Sequence, residues 1–194
     1  GFLVPRADAH QGEYVAPLDE RLQWLTGFTG SAGFCAALIG AAGVFIDGRY
    51  RTQVKTQIAD VYTPVAWPEV SLADWLRGQL PRGGIVGFAQ IEQLNGALEG
   101  SGIEMRRCDN LVDRIWEDQP PPPVKIAKVH PLEFAGESHI DKAARLGQSL
   151  RDSGAAAAVI TLPDSVCWLL NIRGADIARN PVVHGFAVLH GSGR

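Results

Sequence analysis

Apolar positions in this chain fall into short runs cut by glycine and proline. Residues 34–39 (Phe-Cys-Ala-Ala-Leu-Ile) and 44–46 (Val-Phe-Ile) flank Gly40-Ala41-Ala42-Gly43. Two such runs around a glycine-bounded turn predict a β-hairpin. Neither run alternates cleanly, which predicts a sheet covered on both faces. Before the hairpin, Gly27, Gly30 and Gly33 punctuate a polar bend, where backbone angles forbidden to a Cβ are open.

The same pattern places other elements around the hairpin. Phe2-Leu3-Val4 predicts a strand. Pro17 opens a helix with Leu18, Leu22 and Leu25 on one face, ended by Gly27. Residues 50–58 predict a helix with Val54 and Ile58 inward. A strand over 61–67 contains Pro64, which confines it to an edge. Ser71 and Asp74 form a capping box with Asp in place of Glu, opening a helix that turns Leu72, Trp75, Leu76 and Leu80 to one side. Then follow a strand at 85–88, a helix marked by Ile91, Leu94 and Leu98, a strand at 103–108 and a helix opened by Asn110-Leu111-Val112-Asp113.

Four consecutive prolines, 120–123, permit neither helix nor central strand and make a semi-rigid spacer. The expected organisation is therefore a first domain over 1–118, a linker over 119–129 and a second unit over 130–194. That unit predicts a helix capped at Ser138 with Ile140, Ala143, Gly147 and Leu150 inward. A buried strand over 155–162, a helix from Pro163, a polar loop over 171–180 and a strand over 186–189 follow. These elements are few for a closed core, and the first strand begins at once, so the expectation is a segment of a longer polypeptide.

Composition narrows the function classes. The 194 residues carry a formal net charge of −3 and show no basic stripe, which gives nucleic-acid binding no electrostatic support. No apolar run approaches membrane-spanning length, and the start lacks a signal-peptide pattern. Cys35, Cys108 and Cys167 sit singly in apolar surroundings, expected as buried small hydrophobes in a reducing, cytoplasmic setting. None of the five histidines forms a metal-binding pair, and no Gly-x-Ser-x-Gly elbow, P-loop or Gly-x-Gly-x-x-Gly occurs. The expectation is no catalytic residue and no metal ligand in this segment.

Three polar clusters remain, each open to a structural or a ligand-facing reading. His10, Glu13 and Tyr14 lie on a loop, where polar residues carry function more often than in cores. Asp47 can cap the next helix while Arg49 pairs with a carboxylate or loop carbonyls, or Arg49 can meet a ligand. Arg173 lies with Asn171, Asp176 and Asn180 in the densest polar loop of the second half. Its guanidinium can fork onto a carboxylate or face substrate.

Taken in order, 8–14 (Asp-Ala-His-Gln-Gly-Glu-Tyr), 27–33, Asp47-Gly48-Arg49-Tyr50, 110–116 and 168–176 with Asn180-Pro181-Val182 resemble the amino-terminal half of the long, three-domain Xaa-Pro aminopeptidases (aminopeptidase P). The resemblance implies an α/β fold: two creatinase N-terminal-like (ribonuclease H-like) domains with mixed sheets and flanking helices, lacking the first helix of one and the end of the other. A catalytic pita-bread domain would follow, holding a pair of divalent ions, usually manganese. It would remove the first residue of peptides with proline second, where the imide lacks an N–H and fixes φ, with a metal-bridging hydroxide as nucleophile. This segment would be inactive alone, supporting a homodimer and closing one side of the substrate groove with the His10 and 173–180 loops. The alternatives are the start of a catalytically dead, histone-chaperone-like binding protein, or of a creatinase or prolidase relative.

Overall fold

A computed structural model describes residues 1–89 and 96–194, which divide into two compact units. The first comprises Gly1–Arg6 and Glu20–Pro120; the second comprises Ala7–Asp19 and Pro121–Arg194. The chain thus leaves the first unit after one strand, contributes 13 residues to the second, and returns.

In the first unit the predicted hairpin forms from β2 (Gly33–Ala37) and β3 (Ala42–Ile46), closed by the Leu38 amide donating to the Ala41 carbonyl at 2.8 Å. β1 (Phe2–Pro5) pairs antiparallel with β2 and parallel with β5 (Gly84–Phe88). β4 (Thr63–Ala66) adds parallel to β3, and β6 (Ile103–Arg107) parallel to β5. The result is a mixed sheet of order β4-β3-β2-β1-β5-β6. Pro64 lies on the edge strand, where its missing N–H costs no ladder bond.

Successive residues of the apolar runs feed opposite faces. Leu3, Ala36 and Phe45 join a core under α3 (Leu72–Gln79), with Leu72, Ala73 and Leu76. Phe2, Val4, Cys35, Val44 and Ile46 join another with Leu22 of α1 (Arg21–Thr26) and Val54 of α2 (Val54–Gln57). Both faces are covered, which is why the runs do not alternate. Gly27 ends α1 at φ 81°; a Cβ there would lie 2.6 Å from the Gln57 carbonyl oxygen.

Several helices are shorter than their patterns predict. Pro17–Asp19 is a 3-10 turn before α1. Within 50–58 only α2 is α-helical, after a 3-10 turn at Gly48–Tyr50. Near 110–116 a 3-10 turn, Val112–Arg114, follows an Asn110 side chain that accepts the Val112 amide at 3.1 Å. Single turns gain too few hydrogen bonds to offset helix nucleation and close as 3-10 instead. Ile91 and Leu94, predicted on a helix, lie outside the described residues. Cys35 and Cys167 are buried as expected, whereas Cys108 is exposed just past the end of β6. Burial pushes the Cys35 thiol up to about 12.

The second unit contains β7 (Lys128–Val129), α4 (Leu132–Ala135), α5 (His139–Asp152), β8 (Ala157–Ile160), α6 (Pro163–Leu170), β9 (Ile172–Arg173) and β10 (Ala187–His190). β8 pairs antiparallel with β10, and β7 with β9. The strand predicted as buried is open on one face: Val159 and Val188 oppose each other in register and are 71% and 53% exposed. On α5, Ile140 is exposed, contrary to the face counted from sequence, and Lys142 is buried instead. The Lys142 ammonium donates to the Trp168 carbonyl (2.9 Å) and Asn171 Oδ1 (2.7 Å), closing the end of α6. Ala16, Cys167, Ile177 and Val182 form a small core on which the loop segments pack.

Candidate functional site

Among the described residues the second unit carries a cleft of about 720 Å³, within the roughly 300–1,000 Å³ typical of ligand pockets. One wall is Gly12-Glu13-Tyr14. The start of α6 supplies Leu162, Pro163 and Asp164, and the loop after β9 supplies Ile177, Ala178, Arg179, Asn180 and Val182. Apolar surface predominates, with two carboxylates and one guanidinium on the lining. A hollow of about 290 Å³ shares Asp164, Asn180 and Val182 with it and adds Arg173 and Trp168.

Local sequence explains how the walls are held. The 8–12 turn winds around one carboxylate oxygen: Asp8 Oδ1 accepts the amides of His10 (2.9 Å) and Gly12 (3.4 Å). The Gln11 side chain donates back to the Asp8 carbonyl at 3.0 Å. Across the cleft, Asp176 accepts the Lys125 amide (2.9 Å) and the His184 amide (2.8 Å), pinning both ends of the loop. Ile177 and Asn180 bridge within it. Gln11 and Arg179 take left-handed backbone angles, φ 58° and 65°. Such positions cost about 1 kcal/mol or more and collect at ligand sites.

Sequence-predicted residues separate here. Glu13, Tyr14 and Asn180 share the cleft, and Arg173 lines the adjoining hollow. His10 lies inside the unit rather than on an open loop: it is buried, its Nδ1 is 3.0 Å from the Thr161 carbonyl, and it stacks on Phe186 at 4.4 Å. Among the described residues Arg173 forks onto no carboxylate; its guanidinium donates to the Ile172 carbonyl at 2.9 Å. Arg49 belongs to the first unit, where it grips Asp47 (2.7 Å at the closest) while Asp47 caps the Arg49 amide at 2.9 Å. That hydrogen-bonded guanidinium holds the Asp47 carboxyl below its ordinary range.

Asp164, Arg179 and His184 line or adjoin the cleft without being singled out by the sequence reading, while Asp8 and Asp176 enter that reading only as members of longer stretches. His184 reaches the His10 loop only through the fold, with ring centroids 4.4 Å apart, and no spacing rule links positions so far apart. The cleft lining contains no serine, cysteine or histidine. The cleft is shaped to bind and orient a ligand, and its lining carries no Ser–His or Cys–His pair.

Comparisons with known proteins show the family. The sequence model described as "Creatinase/Prolidase N-terminal domain" matches residues 3–115, and a second model of the same description matches 118–193. The chain belongs to the creatinase/prolidase N-terminal domain family. Among curated members that resemble it, Aminopeptidase P1 of Arabidopsis thaliana is 36% identical, across 97% of this chain and 30% of the relative. A probable Xaa-Pro aminopeptidase P of Coccidioides posadasii (strain C735) is 35% identical, across 97% and 31%. The solved X-prolyl aminopeptidase of Caenorhabditis elegans, described as a cytosolic enzyme with a di-nuclear active site, superposes with a TM-score of 0.90. It is 32% identical, over 98% of this chain and 33% of that one. This creatinase/prolidase-type chain therefore spans about a third of the length of these relatives.

Proposed function

We propose that this chain is the non-catalytic amino-terminal part of a metal-dependent Xaa-Pro aminopeptidase, and that the second unit's cleft forms one side of the groove for the peptide substrate. The observation that carries the reading is the match to the nematode X-prolyl aminopeptidase over nearly the whole chain. Residues 1–118 and 130–194 are then the two creatinase-type domains, with 119–129 the linker and Ala7–Asp19 lent to the second. The parent is a cytoplasmic homodimer acting on peptides with proline in second position.

The di-nuclear centre belongs to the catalytic part in this reading. Among the described residues no group of three or more His, Cys, Asp or Glu side chains is placed to hold a metal ion. A pair of divalent ions, manganese in this reading, would supply the hydrolytic chemistry there. The residues of this chain act on the peptide by binding. Tyr14 and Leu162 offer apolar surface to proline-rich, extended backbone. Glu13, Asp164, Arg179 and Asn180 supply the few polar contacts that fix its direction.

The test is kinetic. In the full polypeptide, Tyr14→Ala and Glu13→Gln raise KM for long Xaa-Pro peptides by about three- to tenfold and leave kcat nearly unchanged, because only binding is removed. Unchanged KM in both variants contradicts the groove assignment.

A further inference from the structure

The cleft walls share one unexplained feature. Asp8 Oδ1 is occupied by the His10 and Gly12 amides, and both oxygens of Asp176 are occupied by the Lys125 and His184 amides. Asp8 Oδ2 and His184 Nε2 are not: both atoms are buried and make no hydrogen bond among the described residues. They face each other at 4.0 Å, and Asp8 is only 1% exposed. The His184 ring is fixed from the other side by His10, which is itself held by the Thr161 carbonyl and by Phe186.

Buried polar atoms without partners are rare and costly. Two of them aimed at each other are complementary once the ring proton sits on Nε2: the imidazole donates and the carboxylate accepts. About an ångström of closure converts the contact into a hydrogen bond. Neither residue lines the cleft itself, but each lies close in the chain to a segment that does. Asp8 anchors the turn that presents Glu13 and Tyr14, and His184 follows Val182 at the end of the other wall.

We propose that Asp8 and His184 are a positioning pair whose contact sets the spacing between the 12–14 wall and the 177–182 wall, and so the fit of a long peptide in the cleft. The proposal rests on the groove reading above. Neither residue touches the peptide; each acts through the wall it holds.

The experiment uses the full polypeptide and two substrates, an Xaa-Pro tripeptide and a longer Xaa-Pro peptide. Asp8→Asn keeps the acceptor for the two amides but replaces the facing oxygen with an amide NH2, which sets a donor against the Nε2–H. His184→Phe keeps the ring without the donor, and His184→Gln restores an N–H near the Nε2 position. The expected result is a KM for the longer peptide about tenfold higher in Asp8→Asn and His184→Phe, with the loss falling on KM rather than kcat. KM for the tripeptide moves little, and His184→Gln recovers most of the loss. The double variant is no worse than either single one, because the same contact is lost each time. A purely structural role would lower kcat and thermal stability together and would show no rescue. In wild type the His184 Nε2–H gives an exchange-protected nitrogen-15 NMR signal that Asp8→Asn removes. If Asp8→Asn fails to fold, the His184→Phe and His184→Gln pair with the NMR signal still decides. Additive double-variant losses, or no protected signal, overturn the pair. If Tyr14→Ala and Glu13→Gln shift KM while Asp8→Asn and His184→Phe do not, the pair fails and the groove stands. If none of the four shifts KM, the groove itself fails.

Discussion

Lys142 shows how one side chain can close an element. It is 2% exposed, donates to the Trp168 carbonyl and Asn171 Oδ1, and lies 4.4 Å over the Trp168 ring. The acceptors are a last-turn carbonyl of α6 and the left-handed residue that ends it, φ 51° at Asn171. Asn171 in turn donates to the Glu137 carbonyl at 2.9 Å, linking the start of α5 to the end of α6. Lys142→Met keeps the length and the apolar stem but removes every donor, stranding the buried Asn171 Oδ1 and leaving the Trp168 carbonyl with only the Asn171 amide at 3.4 Å. The expected cost is about 2–3 kcal/mol, read as a lower urea midpoint with an unchanged slope; an unaltered midpoint would show that water replaces the ammonium there. Sequence patterning misses this residue because a helix face is counted from apolar side chains. Ile140, which patterning turns inward, lies at solvent because the inward space belongs to the lysine. Asp8 and His184 escape notice for a related reason: each is an ordinary polar residue until folding makes them neighbours.

Elements whose causes are local are legible in the sequence. Ser71 and Ser138 each accept the amide three residues on, from Asp74 at 3.0 Å and Asp141 at 3.1 Å, and donate to the same aspartates. The hairpin, the edge placement of Pro64 and the Gly27 stop are likewise short-range consequences of residue type. Helix lengths were less legible, since whether a turn propagates depends on packing that the pattern does not show. The corner after β3 gives a pH prediction at this scale. Asp47 has its carboxyl pKa lowered, first by the Arg49 hydrogen bond. A carboxylate with a lowered folded pKa contributes stability above its unfolded value of about 3.9, and loses it as pH falls through the folded value. Arg49 is 62% exposed, so solvent and salt screen the pair. Between pH 5 and pH 2 the wild-type chain should therefore lose slightly more stability than Asp47→Asn does. Parallel curves in acid denaturation would contradict that assignment.

The chain as a whole joins two creatinase-type units, the second of which borrows 13 residues from the amino-terminal stretch. That loan was invisible in the sequence, where residues 7–16 read as a polar loop and Pro17 as the start of a helix, all within the first domain. It matters because the borrowed segment carries Glu13 and Tyr14, the cleft wall, and Asp8, its anchor. In the proposed reading, scaffold and ligand surface are therefore built from the same residues. Photo-cross-linking tests this account most directly. A long Xaa-Pro peptide bearing a photoreactive group beyond the proline is irradiated on the full polypeptide, and the labelled fragments are mapped by mass spectrometry. Label on residues 12–14 or 177–182, competed away by unlabelled peptide, is the predicted result. Efficient labelling elsewhere in the polypeptide with none on either wall would contradict it.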